Sequence, residues 1–352
     1  MRPPARIRAL VLLALVLDRP VLGRLVRRAT PEPVTEAAEV DGVPLELVRP
    51  SGDGPWPAWL FVNGAHPLRR REPVVTALSR GLARAGYLVA VPDIPGLGEG
   101  TITPRTFTAT CAVVRAVVER PDVRGSRVAL IGASTGAGLA LLAAARPEIA
   151  ERVSVVAAVA PFADLRKLIC LTTTEAYEED GAFAPHEVTD LHRTVVARSL
   201  VAALSDVGER ERLLSELARI EEEAANPLDE LPRRVEGVTA ETRTALELLS
   251  NRDAERFGEL YAALPESVHA FVDELSPLRV GHDVRAPVEI VVPPSDVYFP
   301  LGEARALAAA LPNARLTVTR TLDHTRPQVS LAALGDFVAF DRFVLRGLRA
   351  AG

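Results

Sequence analysis

Lysine is almost missing from this chain: of 41 basic residues only Lys167 is a lysine, and the rest are arginine. Together with abundant Ala, Val, Leu and Pro, that bias reflects genome base composition, and no function is drawn from it. Cysteine is scarce as well. Cys111 and Cys170 cannot build a disulfide framework, and neither lies in a Cys-x-x-Cys or Cys/His cluster of metal spacing, so both are expected as buried thiols. Positive charge is not in excess either, since 46 acidic residues leave a net charge of −5 and no electrostatic reason for a nucleic-acid partner. Solenoid-period repeats and low-complexity tracts are absent. What remains is ordinary: 352 residues, 48% hydrophobic and 25% charged, which excludes disordered and collagen-like chains and suffices for a substantial core.

A long apolar run is also lacking. Arg2, Arg6 and Arg8 precede the stretch Ala9 to Leu17, shaped like the n- and h-regions of a signal peptide, but Asp18, Arg19 and Pro20 end it. Such a stretch rises only about 14 Å as a helix, half a bilayer core. Three readings stay open: an uncleaved helix that associates with a membrane surface, a poor signal, and a helix packed on the protein itself. Localisation stays open between cytoplasm and membrane, and secretion is the least favoured because no clear small-x-small cleavage site precedes Pro31.

Beyond Pro31 to Pro33, short β-branched runs alternate with helical patterns, the signature of a largely parallel sheet covered on both faces. Val40 and Val43 to Val48 flank Asp41-Gly42, a hairpin signal. Ala58 to Val62, Tyr87 to Val91, Val128 to Ile131 and Val153 to Val159 read as buried strands; Pro73 to Ala85, Phe107 to Val118 and Thr135 to Ala145 read as the helices between them. From Phe162 to His282 no strand is evident. Leu213, Leu217, Ile220 and Ala224 are spaced for one helix face that Asn226-Pro227 stops, with further helices over Ala240 to Leu249 and Ala254 to Leu264. The alternation then resumes: strand Val288 to Val292, helix Leu301 to Leu311, strand Leu316 to Thr319, and a last amphipathic helix from Ser330 to Leu348. The expected organisation is an N-terminal helix and linker over 1–34, an α/β core over 35–161 and 283–352, and a helical insertion over 162–282.

The segment Gly132-Ala133-Ser134-Thr135-Gly136 is a G-x-S-x-G motif between a predicted strand and a predicted helix. Small neighbours there permit the sharp turn that lifts a serine hydroxyl over the sheet, within reach of a histidine. On these residues the chain resembles the α/β-hydrolase family from about Thr35 to the C-terminus, including the habit of inserting a helical cap after the strand that follows the nucleophile helix. The resemblance implies an α/β-hydrolase fold, a mostly parallel sheet flanked by helices with an inserted all-helical cap. It also implies a Ser, Asp or Glu, and His triad in that chain order.

Both remaining slots are filled. Pro293-Pro294-Ser295-Asp296 to Pro300 resembles the family's G-x-x-D-x-x-x-P loop, with Pro293 in the glycine position, and makes Asp296 the acid; Asp323 is the alternative. His324 follows the last strand and fits the general base, whereas His186, His192 and His269 fall in the insertion and His282 and His66 precede the acid. The resemblance assigns the oxyanion hole to the N–H groups of Thr135 and Ala65, the latter in Asn63-Gly64-Ala65-His66, where Asn63 replaces the family's histidine. His66 then either buttresses the loop or is simply exposed. Pro92-Asp93-Ile94-Pro95-Gly96-Leu97-Gly98 resembles the family's D-x-P-G-x-G turn, and no catalysis is assigned to Asp93.

Two patterns are refused. His186-Glu187-Val188-Thr189-Asp190 lacks the second histidine of a zinc-protease motif, and Gly132 to Gly138 lacks the Lys-Ser/Thr ending of a phosphate loop. The expectation is a serine hydrolase cleaving a small-molecule carboxylic ester with an apolar part, under an apolar roof, with no metal or organic cofactor required. A peptidase, thioesterase, lipase or acyltransferase would use the same triad, and a non-catalytic binding protein of this fold is a further alternative. A serine nucleophile excludes haloalkane dehalogenases and epoxide hydrolases, which need an aspartate there. Oligomeric state is left open.

Overall fold

The computed structural model describes residues 4–17, 20–328 and 334–352. Helices α1 (Ala5–Val16) and α2 (Pro20–Ala29) lead into a hairpin of β1 (Val34–Val40) and β2 (Val43–Arg49). Asp41 and Gly42, its two turn residues, take φ of 49° and 78°, the positive pair a two-residue hairpin turn requires. Then β3 (Trp56–Val62), α3 (Pro73–Arg84), β4 (Leu88–Pro92), α4 (Pro104–Val118), β5 (Val123–Ala133), α5 (Thr135–Ala145), α6 (Pro147–Ala150) and β6 (Val153–Val159) follow in turn.

Next come α7 (Leu165–Thr174), a small hairpin of β7 (Ala176–Glu179) and β8 (Ala182–Pro185), and α8 (Asp190–Ala202). Helices α9 (Val207–Glu222), α10 (Pro227–Arg234), α11 (Ala240–Ser250), α12 (Phe257–Ala262) and α13 (Glu266–Glu274) complete the insertion. The chain ends with β9 (Val288–Val292), α14 (Leu301–Ala310), β10 (Ala314–Val318), the short hairpin β11 (Leu322–Asp323) and β12 (Arg326–Pro327), and α15 (Leu334–Ala350).

The eight-stranded sheet has the order β1-β2-β4-β3-β5-β6-β9-β10. Only β1–β2 and β2–β4 pair antiparallel; the other neighbours are parallel. Every residue of β3, β4 and β9 is buried, as strands covered on both faces must be. Alternation divides them between two cores: Leu60, Val62, Leu130 and Ile290 meet α4, α5 and α14, while Trp59, Phe61, Ile131 and Val291 meet α1, α3 and α15.

Several expectations are corrected. The insertion does contain strands, β7 and β8, paired around Asp180-Gly181. Leu213, Leu217 and Ile220 form the buried face of α9, but that helix ends at Glu222, Ala224 turns out at φ 53°, and Asn226 instead caps α10 by accepting from the Leu228 N–H at 3.0 Å. The start of the last expected helix, around Ser330, lies outside the described residues. Of the three N-terminal readings, the structure has the helix packed on the protein. Ala9, Leu12 and Leu13 are buried against α3 and α15, and Gly81 makes room for Leu12, whose Cδ1 would lie 2.9 Å from a Cβ there. The buried Arg8 donates to the Tyr87 hydroxyl and, at 2.9 Å, to the Gly352 carbonyl. No described helix is long and apolar enough to cross a membrane. Cys111 and Cys170 are buried free thiols, and burial raises the Cys111 pKa to about 11.

Candidate active site

Ser134 sits between β5 and α5 at φ 53° and ψ −125°, a conformation a non-glycine residue holds only when its surroundings impose it. Two glycines make that possible by letting backbones touch. A Cβ on Gly132 would lie 2.3 Å from the Ala137 Cα, and one on Gly136 would lie 2.2 Å from the carbonyl oxygens of Val62 and Asn63. The Ser134 N–H donates to the Val159 carbonyl at 2.9 Å, tying the turn to β6.

Asp296 lies on the loop between β9 and α14. Its Oδ1 accepts from the Tyr298 N–H at 2.8 Å and the Phe299 N–H at 3.4 Å, which leaves Oδ2 aimed at His324 Nδ1, 2.8 Å away. His324, at the tip of the β11–β12 hairpin, also has positive φ, 50°. Its ring lies 4.2 Å from the Tyr298 ring at 33° and meets Phe299 edge-on at 5.7 Å. Asp323, the alternative acid, is exposed and pairs through its backbone with Arg326. Ser134 and His324 line one cleft of about 260 Å³, with no hydrogen bond between them.

Gly64 and Ala65 line the same cleft, and the Ala65 N–H makes no backbone hydrogen bond. Thr135 opens α5, where a helix leaves its first N–H groups unpaired and carries partial positive charge. Asn63 is buried, yet neither atom of its side-chain amide has a partner. His66 is half-buried, and its Nδ1 accepts from the Leu68 N–H at 3.2 Å, bracing the turn that follows Ala65. Asp93 has a structural part, accepting from the Arg70 N–H at 3.2 Å and pairing with its guanidinium.

Sequence reasoning set aside two histidines that the insertion brings against this loop. His192 is 6% exposed; its ring lies 5.2 Å from Tyr298, and its Nδ1 lies 3.1 Å from Thr189 Oγ1 in the capping box of α8. Burial drives its pKa down to about 4, the nearby His324 adds to the fall, and the Tyr298 backbone opposes it. Burial likewise lowers His186, against the Val297 backbone and Asp296. The only local signal was the Thr189-x-x-His192 spacing. Among the described residues no three His, Cys, Asp or Glu side chains are grouped to hold a metal ion.

Leu165, Leu168, Val195 and Leu200 of the insertion line, with Thr135, a separate apolar space of about 40 Å³. The apolar faces of α9, α10 and α11 bury one another, and the insertion lends only Leu191 to the cleft among the described residues.

A mostly parallel eight-stranded sheet flanked by helices, with a strained serine on a strand-to-helix elbow, makes this protein an α/β-hydrolase. More narrowly, the chain belongs to the X-Pro dipeptidyl-peptidase (S15) family, whose model matches residues 41–275, a stretch that contains Ser134 and ends before Asp296 and His324. The homoserine O-acetyltransferase of Deinococcus radiodurans is 29% identical over 260 residues, 69% of this chain and 68% of its own. Among solved structures, dipeptidyl peptidase 4 of Porphyromonas gingivalis aligns with 94% of this chain at 13% identity and a TM-score of 0.51, and this chain spans 37% of its length. The 2,6-dihydroxy-pseudo-oxynicotine hydrolase aligns with 94% of this chain and 71% of its own at 17% identity, with a TM-score of 0.49.

Proposed function

We propose that this hydrolase cleaves a carboxylic ester through an acyl-enzyme, with 35–161 and 283–352 as the catalytic core and 162–282 as its cap. The observation that carries the reading is the 2.8 Å pair of Asp296 and His324 opening on the cleft that holds the strained Ser134. Ser134 Oγ attacks the acyl carbon as His324 Nε2 takes its proton. Asp296 holds the Nδ1 proton and steadies the imidazolium, and the N–H groups of Ala65 and Thr135 receive the oxyanion. His324 returns the proton to the leaving alcohol, and water, activated by the same imidazole, releases the acid. Ser134 and His324 share the cleft without a hydrogen bond between them, and the transfer requires that bond to form as substrate binds.

The family's name raises peptide cleavage as a rival. A dipeptidyl substrate presents an α-ammonium group that needs a spare carboxylate; Glu72 in the cleft is already engaged as the N-cap of α3, accepting from Val74 and Val75 at 2.7 and 3.0 Å, which leaves the exposed Asp323 as the carboxylate that peptide cleavage would have to use. The acetyltransferase relative favours a second reading, acyl transfer to an alcohol. A fluorophosphonate probe should label Ser134, and nitrophenyl esters should be turned over with Ser134→Ala inactive. Faster product release with an added alcohol would favour transfer. No Ser134 adduct in folded protein would refute both readings.

A further inference from the structure

Behind the cleft, inside the core between the sheet and helices α1, α3 and α15, lies a second space of about 110 Å³. Among the described residues, the polar side-chain atoms in its walls are confined to the Thr325 hydroxyl and the Trp59 indole. Small residues create it. Ala133 on β5 and Ala157 on β6 face the same side of the sheet as Trp59 and Phe61, where larger side chains would close the gap. Opposite them α15 offers Gly347, where an added Cβ would meet only the Trp59 Cη2, at 3.6 Å. Leu12, Leu13 and Val16 of α1 wall the end held by Arg8.

This chamber adjoins the cleft: Phe61, Val74, Ala133 and Thr325 line both. Ala133 directly precedes Ser134, so an acyl chain whose carbonyl carbon is at Ser134 Oγ has apolar space beside that wall, away from the cap. The geometry points to a short acyl-chain pocket on the far side of the sheet from the insertion, with the N-terminal helix as its end wall. An apolar cavity of about 150 Å³ takes a benzene-sized guest, so a chamber of about 110 Å³ takes an unbranched chain of about four carbons. This inference rests on the esterase reading for the chemistry, but occupancy of the chamber does not require turnover.

The test joins the two readouts. Nitrophenyl acetate, butyrate, hexanoate and dodecanoate are compared for the native protein, Gly347→Leu, which fills the chamber at a position where the helix gains from losing glycine, and Phe343→Ala, which enlarges it. Separately, 1-butanol is titrated into Ser134→Ala/Trp56→Phe protein, in which Trp59 is the sole tryptophan, and into the same protein carrying Gly347→Leu. The expectation is a butyrate optimum in kcat/KM, a butyrate-to-acetate ratio at least tenfold lower in Gly347→Leu, and a shift toward longer chains in Phe343→Ala. Butanol should change Trp59 emission saturably, and Gly347→Leu should abolish the change. That saturable, Gly347-sensitive signal without turnover of any ester would keep the chamber and sink the esterase reading. Ester turnover with a chain-length profile unmoved by either variant, and no saturable Trp59 response, would overturn the chamber and leave the esterase reading standing.

Discussion

Tyr298 holds Asp296 and His324 together: its backbone N–H donates to Asp296 Oδ1 at 2.8 Å, and its ring covers the His324 imidazole at 4.2 Å. The backbone contact survives any substitution other than proline, so the ring's part is separable. Tyr298→Phe should keep kcat within about twofold, while Tyr298→Ala should lower it roughly 10- to 100-fold with a smaller change in KM, as a loosened imidazole predicts. A drop in Tyr298→Ala confined to KM would mean that the ring contacts substrate instead.

Asp296→Asn preserves the shape of the loop but offers an amide to His324 Nδ1, favouring the wrong tautomer. By the magnitude such a change has in a Ser-His-Asp site, kcat should fall about 10³- to 10⁴-fold while the circular dichroism spectrum is retained. Asp323→Asn, on the exposed neighbour of His324, should leave kcat within a few-fold. Equal losses in the two variants would argue against Asp296 as the orienting acid.

His192 makes acid stability a test of the insertion's docking. Its folded pKa, about 4, lies below the ordinary 6.5, so the unfolded chain binds its proton first. The stability linked to it is fully present above pH 6.5 and is lost as pH falls through about 4. The loss amounts to roughly 2 kcal/mol by pH 4.5. His192→Gln retains a capping-box side chain at the third position of α8 without the titration. Urea unfolding at pH 7.5 and 4.5 should show the native protein losing about 2 kcal/mol more than the variant; parallel losses would refute the assignment.

How far the sequence reveals these features depends on whether the determining contacts are local. The Ser134 elbow is a local pattern, five residues between a strand and a helix, and the order of Asp296 and His324 follows from strand order. The hairpins make the limit clear. Asp41-Gly42 and Asp180-Gly181 are the same dipeptide with the same positive φ pair, 49° and 78° against 53° and 80°. The first is flanked by alternating valines and leucines, whereas the second lies among Glu178, Glu179, Ala182 and Ala184 on a largely exposed ribbon with no burial pattern to read. Apart from Arg6 and Arg8, helix α1 is apolar all round, with Ile7 and Leu10 exposed and Leu12 and Leu13 buried, so periodicity could not say which face packs. The approach of His192 to Tyr298 joins residues from the insertion and the acid loop, and no pattern within either segment encodes it.

Glu303 is a buried polar link between insertion and core, and its charge state can be tested by substitution. On α14, buried to 1% exposure, it accepts from the Ala163 N–H at 2.7 Å, the Asp164 N–H at 3.0 Å and the Tyr177 hydroxyl at 2.8 Å. Burial raises its pKa above the ordinary 4.5, with the three hydrogen bonds opposing, and burial, reinforced by this carboxylate, raises Tyr177. A raised folded value means that the linked stability is present below pH 4.5 and is lost as pH rises through the folded pKa, so at neutral pH the charge is a liability. Glutamine can keep the contacts, its oxygen accepting both backbone N–H groups and its amide donating to the Tyr177 oxygen. In guanidinium unfolding, Glu303→Gln should therefore match or exceed the native protein at pH 8 and lose that advantage toward pH 4.5. Glu303→Ala strands two N–H groups and a hydroxyl, and should cost about 3 kcal/mol or more at both pH values. If glutamine costs as much as alanine at pH 8, the ionised carboxylate is required for docking and the burial argument fails.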